Sequence, residues 1–196
     1  MTVETYEQQF EAILSGENQS HPYDKDAYVN YVKMNRARIN RWEKTSKLLP
    51  ELIDKITSIE EPTEWLLITE PWCGDAAHSH AFIKKLAALN PNINLIIQNR
   101  DAEGSEIDQY LTNGSKSIPK LVARDADGND LFIWGPRPEK AQAMVMNHLK
   151  DPTTDDETHK RDLQKWYNKD KGVSIQAELN QLIETYVSQK VESLTI

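Results

Sequence analysis

Residues 62–150 alternate between short apolar runs, which are typical of strands, and segments with apolar residues at helical spacing. The runs lie at 65–69, 93–97, 120–123 and 131–134, and the helical patterns lie at 76–89, 103–111 and 138–149. A turn-rich stretch at 125–129 joins the last two runs as a hairpin. The order β-α-β-α-β-β-α predicts an α/β fold with a central four-stranded mixed sheet and flanking helices.

Helical patterns also occupy both ends of the chain. We predict an N-terminal helical extension at 1–60, an α/β domain at 61–150, and a C-terminal helical extension at 151–196 that packs on the core. Pro50 is well placed at the start of a third helix in the first extension. In the last extension, an apolar stripe at 175–187 predicts an amphipathic helix, which docks on the core or, alternatively, forms a homodimer.

Cys73 is the only cysteine among the 196 residues. A disulfide within the chain and structural zinc sites built from several cysteines are therefore excluded. Cys73 lies where a predicted strand passes into a predicted helix. The free backbone N–H groups and the positive end of the dipole at a helix start favour a thiolate over a thiol. The thiol is accordingly expected to be reactive, in a catalytic or regulatory role, unless it is a relic.

Composition and charge narrow the classes of function. With 38% hydrophobic and 28% charged residues, the chain is typical of a globular protein. No apolar run approaches the length needed to cross a membrane. Four glutamates lie within residues 1–20, where a secretory signal has a basic and then an apolar region. We expect a cytoplasmic protein, in which a lone thiol stays reduced. A net charge of −8 argues against non-specific binding to nucleic acid or to a membrane surface.

One predicted helix departs from this acidity. Residues 33–47 carry six Lys and Arg side chains against only Glu43. Such a helix could bind an anion, for example a carboxylate of a thiol cofactor. Alternatively, its basic side chains form a solvated face that pairs with neighbouring acidic residues, and we favour this second interpretation.

The sequence Trp72-Cys73-Gly74 ahead of a helix, with Ile118-Pro119 ahead of a hairpin strand, resembles the thioredoxin superfamily. Within that superfamily the chain is similar to a bacterial thioredoxin-like family with a Trp-Cys-Gly-Asp motif, and further matches lie at 111–114, 117–120 and 134–138. The resemblance covers about residues 60–150 and implies a thioredoxin-like fold.

The resemblance also implies roles for the motif residues. Cys73 matches the nucleophile, and Ile118-Pro119 matches the platform that holds substrate beside it, with a cis peptide bond. Trp72 is expected to cover the thiol, and Gly74 to shape the helix start. Two departures are that Ala76 replaces the resolving cysteine and Leu67 replaces a buried aspartate that moves protons. A mixed disulfide would then be released only by an external thiol.

Asp75 stands two residues after the thiol, where thioredoxins have proline. Its carboxylate either caps the helix by accepting backbone N–H bonds or transfers a proton to or from a sulfur. In either role the charge tunes the pKa of Cys73, because a nearby like charge disfavours ionisation.

Other candidates are weaker. His78 and His80, with Cys73 and Asp75, suggest a metal site, but their spacing is poor, and we predict surface histidines and no metal.

Charged residues also lie at the ends of predicted strands. Arg137 and the pair Arg100-Asp101 either face a ligand crevice or, as we favour, form structural ion pairs. Trp134 is predicted to belong to the core.

Two functional hypotheses follow. In the first, catalytic residues Cys73 and Asp75 perform thiol-disulfide exchange, with Trp72, Gly74, Ile118 and Pro119 binding a disulfide-bearing protein or a low-molecular-weight thiol, and no resident cofactor. In the second, the chain is a non-catalytic binding module or a redox sensor on the same fold. A strongly lowered thiol pKa favours the first hypothesis.

Overall fold

The computed structural model describes residues 1–151 and 153–193. The predicted C-terminal extension lies outside the described residues at positions 152 and 194–196. In chain order the elements are α1 (Val3–Leu14), α2 (Asp26–Thr45), α3 (Pro50–Thr57), β1 (Thr63–Thr69), α4 (Ala76–Ala87), β2 (Ile93–Asn99), a 3-10 helix (Glu106–Gln109), β3 (Lys120–Arg124), β4 (Asp130–Trp134), α5 (Glu139–Lys150), α6 (Asp156–Asp170) and α7 (Val173–Ser193).

The four strands form one mixed sheet in the order β2-β1-β3-β4. Strand β1 runs parallel to β2 and antiparallel to β3, and β3 and β4 form the predicted hairpin. The Asp125 side chain stabilises the hairpin turn by accepting hydrogen bonds from the backbone N–H groups of Asp127 and Asn129, at 2.9 and 2.8 Å. The structure thus confirms the predicted α/β architecture.

Alternate residues of β1 point to opposite faces of the sheet, as the period of a strand requires. Trp65 and Leu67 belong to the larger core, which the sheet shares with α1, α2, α3, α4 and α7. Leu66 and Ile68 belong to a smaller core on the other face, and that core includes Cys73. The thiol therefore lies on the less heavily covered face of the sheet.

The C-terminal helices complete the packing. Ile175, Leu179 and Ile183 of α7 are buried in the larger core. Trp134 is only 4% exposed, as predicted for a core residue, and its Nε1 donates a 2.7 Å hydrogen bond to Glu178 of α7. A homodimer through α7 and the domain boundaries at 60 and 150 stay predictions.

The predicted helix at 103–111 is wrong in length, since only the 3-10 helix forms there. Gly104 has a φ of +76°, a left-handed conformation that an α-helix does not continue through. The Ser105 hydroxyl then accepts a hydrogen bond from the backbone N–H of Ile107 at 3.4 Å and starts the shorter helix.

Among the described residues, no helix combines the length and apolar composition needed to cross a membrane.

Candidate functional site

The turn between β1 and α4, residues 70–75, carries the thiol, and α2 holds this turn in place. The Asn35 side chain of α2 is buried and donates a 3.0 Å hydrogen bond from Nδ2 to the carbonyl oxygen of Pro71. The buried Glu70 carboxylate accepts a 3.0 Å hydrogen bond from the backbone N–H of Asp101, which follows β2. The N-terminal helix α2 and the end of β2 therefore fix the turn before it reaches Cys73.

Cys73 is 6% exposed and lies between the start of α4 and the segment before β3. Its Sγ donates to the carbonyl oxygen of Ile118 at 3.4 Å and accepts from the backbone N–H of Ala76 at 3.5 Å. The Ile118–Pro119 peptide bond is cis. The structure thus brings together the two motifs that the sequence placed 45 residues apart.

Burial, followed by the nearby charge of Asp75, raises the pKa of the Cys73 thiol to about 12. The backbone N–H groups of Ala76 and Asp75 and the charge of Arg137 lower the pKa, but they do not offset burial. This is the opposite of the lowered pKa expected from a helix start, because the thiol is almost fully removed from water. At neutral pH the resting form of Cys73 is the protonated thiol.

Of the two roles considered for Asp75, the helix cap does not form, because its carboxylate accepts no capping hydrogen bond from α4. Asp75 has helical backbone angles, so its side chain does not return to the free N–H groups of the first turn. Its Oδ2 instead forms an ion pair with Arg137 Nη2 at 2.7 Å, and its Oδ1 accepts a 2.9 Å hydrogen bond from the hydroxyl of Tyr167. Asp75 therefore connects the thiol turn to the loop after β4 and to α6.

Trp72 forms one wall of the site. Its ring packs against the apolar cluster that contains Cys73, meets Tyr28 edge-on at 5.9 Å between ring centroids, and lies under the Arg100 guanidinium at 4.7 Å.

The two predicted ion pairs are confirmed. Arg100 pairs with Asp101 at 2.7 Å, and Arg137 pairs with Asp75 at the same distance. Arg100 and Arg137 nevertheless also line the open space in front of the thiol.

The thiol lies at a cleft of about 820 Å³. Helix α2 forms one wall with Tyr28, Tyr31 and Met34, and α6 forms another with Leu163 and Gln164. The lining has six basic side chains and only two acidic ones, which are Arg38, Arg100, Lys116, Arg137, Lys160 and Arg161 against Asp75 and Glu157. In a chain with a net charge of −8, this cleft is a local region of positive charge.

The basic side chains of residues 33–47 fit both of the proposed interpretations, since some pair with neighbouring side chains and one lines the cleft. Arg36 pairs with Glu11 at 3.1 Å, and Arg41 donates to Asn168 at 2.7 Å, so these two side chains serve structural contacts. Arg38 lines the thiol cleft. Sequence periodicity shows which residues share a helix face, but it does not show which part of that face meets the cleft.

His78 and His80 are 4% and 2% exposed, so the prediction of surface histidines is wrong. Helix α4 is covered by α2, by the sheet and by the C-terminal helices, and of its residues only Lys84 and Lys85 are half-buried instead of buried. Within the described part of the chain, no group of three or more His, Cys, Asp or Glu side chains is arranged to hold a metal ion.

His78 belongs to a hydrogen-bonded network beside the site. Its Nδ1 accepts a 3.0 Å hydrogen bond from Trp42 Nε1, so its Nε2 carries the proton and donates to Gln164 Oε1 at 2.7 Å. Burial lowers the pKa of His78 to about 4, which keeps the ring neutral. The ring stacks on Tyr167 with centroids 4.3 Å apart.

Sequence reasoning missed Tyr167 and Gln164 as site residues. Both come from α6, about 90 positions after the thiol, and the pattern there marked only an apolar helix face. The available signal was a tyrosine on the apolar face of this helix, because a buried hydroxyl group needs a hydrogen-bond partner.

A family model described as thioredoxin matches residues 22–150. A 1.5 Å crystal structure of a protein of unknown function from Pseudomonas aeruginosa is similar with a TM-score of 0.59 and 19% identity, over 81% of this chain and 91% of that one. The crystal structure of an HIV epitope scaffold is similar with a TM-score of 0.56 and 18% identity, over 94% of this chain and 99% of that one.

A comparison with curated proteins finds no match. The two structural likenesses concern the fold and leave the function open. The sheet order, the placement of Cys73 opposite Ile118-Pro119, and the family model over residues 22–150 agree with one another. The chain belongs to the thioredoxin family.

Proposed function

We propose that this chain is a monothiol thioredoxin-like protein that exchanges disulfides through Cys73. The observation that carries the proposal is the position of Cys73 Sγ, 3.4 Å from the carbonyl oxygen of Ile118 and open to a cleft of about 820 Å³. Trp72, Gly74 and Ile118 line the cleft around this thiol, and Pro119 follows Ile118 through a cis peptide bond. A disulfide held in the cleft would bring a sulfur atom to the nucleophile.

The reaction has two balanced steps. Cys73 loses its proton and attacks one sulfur of a disulfide, so a Cys73–substrate S–S bond forms, the original S–S bond breaks, and the leaving thiolate takes up a proton. Because Ala76 provides no second thiol, an external thiol then attacks the mixed disulfide. That step forms a new external disulfide and restores the Cys73 thiol.

The raised pKa of Cys73 limits which reagents react quickly. A buried, protonated thiol reacts slowly with any reagent that does not bind, because only the thiolate is nucleophilic. A disulfide that binds in the cleft gains from proximity, which raises the effective concentration at the sulfur. The proposal therefore requires that bound disulfides outpace an unbound alkylating agent.

A second candidate is a binding module or redox sensor, and the pKa of about 12 for Cys73 favours it. Mass spectrometry separates the two candidates. The protein is incubated at pH 7.5 with 2-hydroxyethyl disulfide or with iodoacetamide, and a Cys73→Ser variant serves as the control. A mixed disulfide that forms faster than the alkylated product, and that added thiol removes, supports exchange. Alkylation without a mixed disulfide supports the module.

Finer parts of the proposal concern the setting of the protein. We place it in a bacterial thioredoxin-like family marked by Trp-Cys-Gly-Asp at 72–75, and in the cytoplasm, where external thiols that complete the cycle are abundant. Its partner is a disulfide-bearing protein or a low-molecular-weight thiol. A solution mass near 22.5 kDa or near twice that value tests the homodimer.

A further inference from the structure

Arg38 stands out among the basic side chains of the thiol cleft. Arg100, Lys116, Arg137 and Lys160 each have a carboxylate partner, and Arg161, which donates to the Thr158 hydroxyl, is exposed to solvent. Arg38 is half-buried and donates to the neutral Asn35 Oδ1 at 2.8 Å, and no described carboxylate lies within ion-pair distance of it. Burial and the charge of Arg41 lower the pKa of Arg38, and the charge of Asp75 opposes them. That carboxylate is already ion-paired with Arg137, so Arg38 has no anion bonded to it directly.

Gln164 supplies a second donor at the same place. Its Oε1 is occupied by the N–H of His78, so its Nε2 carries two N–H donors that have no acceptor among the described residues. A Cβ atom built on Gly74 would lie 3.8 Å from Gln164 Nε2 and 3.8 Å from Arg38 Nη1. The two donor groups therefore converge on one point beside Gly74, the neighbour of the thiol.

The tautomer of His78 sets the direction of these donors. Trp42 Nε1 is a donor only, so it requires an acceptor at His78 Nδ1, and His78 then donates to the oxygen of Gln164. This chain of bonds leaves the amide nitrogen of Gln164, and not its oxygen, next to Arg38. A donor pair of this kind attracts an anion and repels a cation.

The shape of the cleft limits the size of the ligand. A volume of about 820 Å³ fits a small molecule, since ligand pockets typically measure about 300–1,000 Å³. The walls come from α2 and α6, which also supply Arg38 and Gln164. The remaining N–H groups of the Arg38 guanidinium and the amide nitrogen of Gln164 offer donors to the two oxygens of a carboxylate.

We propose that Arg38 and Gln164 bind a carboxylate of a low-molecular-weight disulfide, and that helices α2 and α6 thereby select small anionic substrates for Cys73. This inference rests on the proposed exchange at Cys73 and names its substrate class. Helices α2 and α6 contribute both side chains of this site, and the turn that carries the thiol supplies only Gly74.

Three symmetric disulfides of similar size and different charge test the selection. They are 3,3′-dithiodipropionate, which is anionic, 2-hydroxyethyl disulfide, which is neutral, and cystamine, which is cationic. We expect mixed-disulfide formation at Cys73 to follow this order, and the anionic-to-neutral ratio of rates to fall at least tenfold in Arg38→Gln. Arg36→Gln, on the same helix but paired with Glu11, should keep the wild-type ratio.

A binding measurement keeps this inference separate from the proposed exchange. In Cys73→Ser, no exchange occurs, and binding of S-methylglutathione, a thioether with two carboxylates, is followed by isothermal calorimetry against its diethyl ester. Tight binding of the acid that Arg38→Gln weakens supports the site even if Cys73 exchanges with no disulfide. Equal binding of acid and ester, or an unchanged rate ratio in a folded Arg38→Gln, overturns it. Competition by phosphate that exceeds competition by acetate overturns the choice of a carboxylate.

Discussion

The hydroxyl of Tyr167 donates a 2.9 Å hydrogen bond to Asp75 Oδ1, and this bond ties helix α6 to the residue two positions after the thiol. Arg137 holds the other oxygen of the same carboxylate at 2.7 Å. One carboxylate thus joins the thiol turn, the loop after β4 and α6. Gln164, which lines the cleft, lies one helical turn before Tyr167 on α6. The bond between Tyr167 and Asp75 therefore helps to hold the α6 wall of the cleft in place.

Replacing Tyr167 by Phe removes one donor from the half-buried Asp75 carboxylate while it preserves the ring that stacks on His78. A hydrogen bond to a charged group contributes about 2 kcal/mol, so we expect the free energy of unfolding to fall by about that amount. Urea unfolding measures the loss. Tyr186→Phe is the control, since its hydroxyl bonds none of the described residues, and equal losses in both variants would contradict the role given to Tyr167.

Replacing Asp75 by Asn removes a negative charge that raises the pKa of Cys73 and leaves the positive charge of Arg137 in place. The pKa of Cys73 should therefore fall, and a decrease of about one unit makes alkylation at pH 8 about tenfold faster. The rate with iodoacetamide, followed by mass spectrometry from pH 7 to pH 10, measures the change.

Asp108→Asn is the matched control, because Asp108 pairs with Lys116 near the cleft rim and is not among the main causes of the raised pKa of Cys73. Slower alkylation of Asp75→Asn would contradict the electrostatic argument. It would show that Asp75 accepts the proton of Cys73 and acts as a general base.

The sheet could be predicted because its residues carry local signals. The short apolar run of β1 and the Asp-rich turn before β4 each depend on a few neighbouring residues. The helix predicted at 103–111 failed at a single position, where Gly104 adopts a left-handed conformation that composition alone does not reveal.

The site could be predicted only in part, because its remaining contacts are long-range. Cys73 and Pro119 match a family motif, whereas Tyr167, one of the two partners of Asp75, depends on how α6 docks 92 residues later. The pKa of Cys73 was expected to move the other way, because the dipole of a helix start is visible in the sequence and the burial of the thiol is not.

His78 makes stability depend on pH. Its pKa is lowered to about 4 in the folded protein, whereas an unfolded histidine titrates near 6.5. Between these two values the unfolded chain binds more protons than the folded chain. The free energy of unfolding is therefore highest above pH 6.5 and falls as the pH drops through this window.

We expect a loss of about 2 kcal/mol between pH 7 and pH 5 from this one group. Denaturant unfolding at both pH values measures it. In His78→Gln the amide still accepts from Trp42 but does not titrate, so this part of the pH dependence should disappear. His21→Gln, at an exposed histidine, should keep the wild-type dependence, and an unchanged dependence in His78→Gln would contradict the assignment.

Gly135 follows β4 and presses against the segment that faces the thiol. Its φ is +113°, and a Cβ atom built on it would lie 2.2 Å from the carbonyl oxygen of Pro119. Neither the backbone conformation nor the contact tolerates a side chain. Gly135→Ala must therefore displace the Pro119 backbone, and with it the Ile118 carbonyl that accepts from Cys73 Sγ.

We expect Gly135→Ala to lose more than about 2 kcal/mol of stability, because a steric clash adds to the cost of a positive φ. Gly128→Ala separates the two contributions, since Gly128 has a φ of +84° but no atom within 4 Å of the added Cβ. That control should lose only about 1 kcal/mol, the cost of the backbone conformation alone. If thermal unfolding shows equal losses in the two variants, the contact between Gly135 and Pro119 does not brace the segment opposite the thiol.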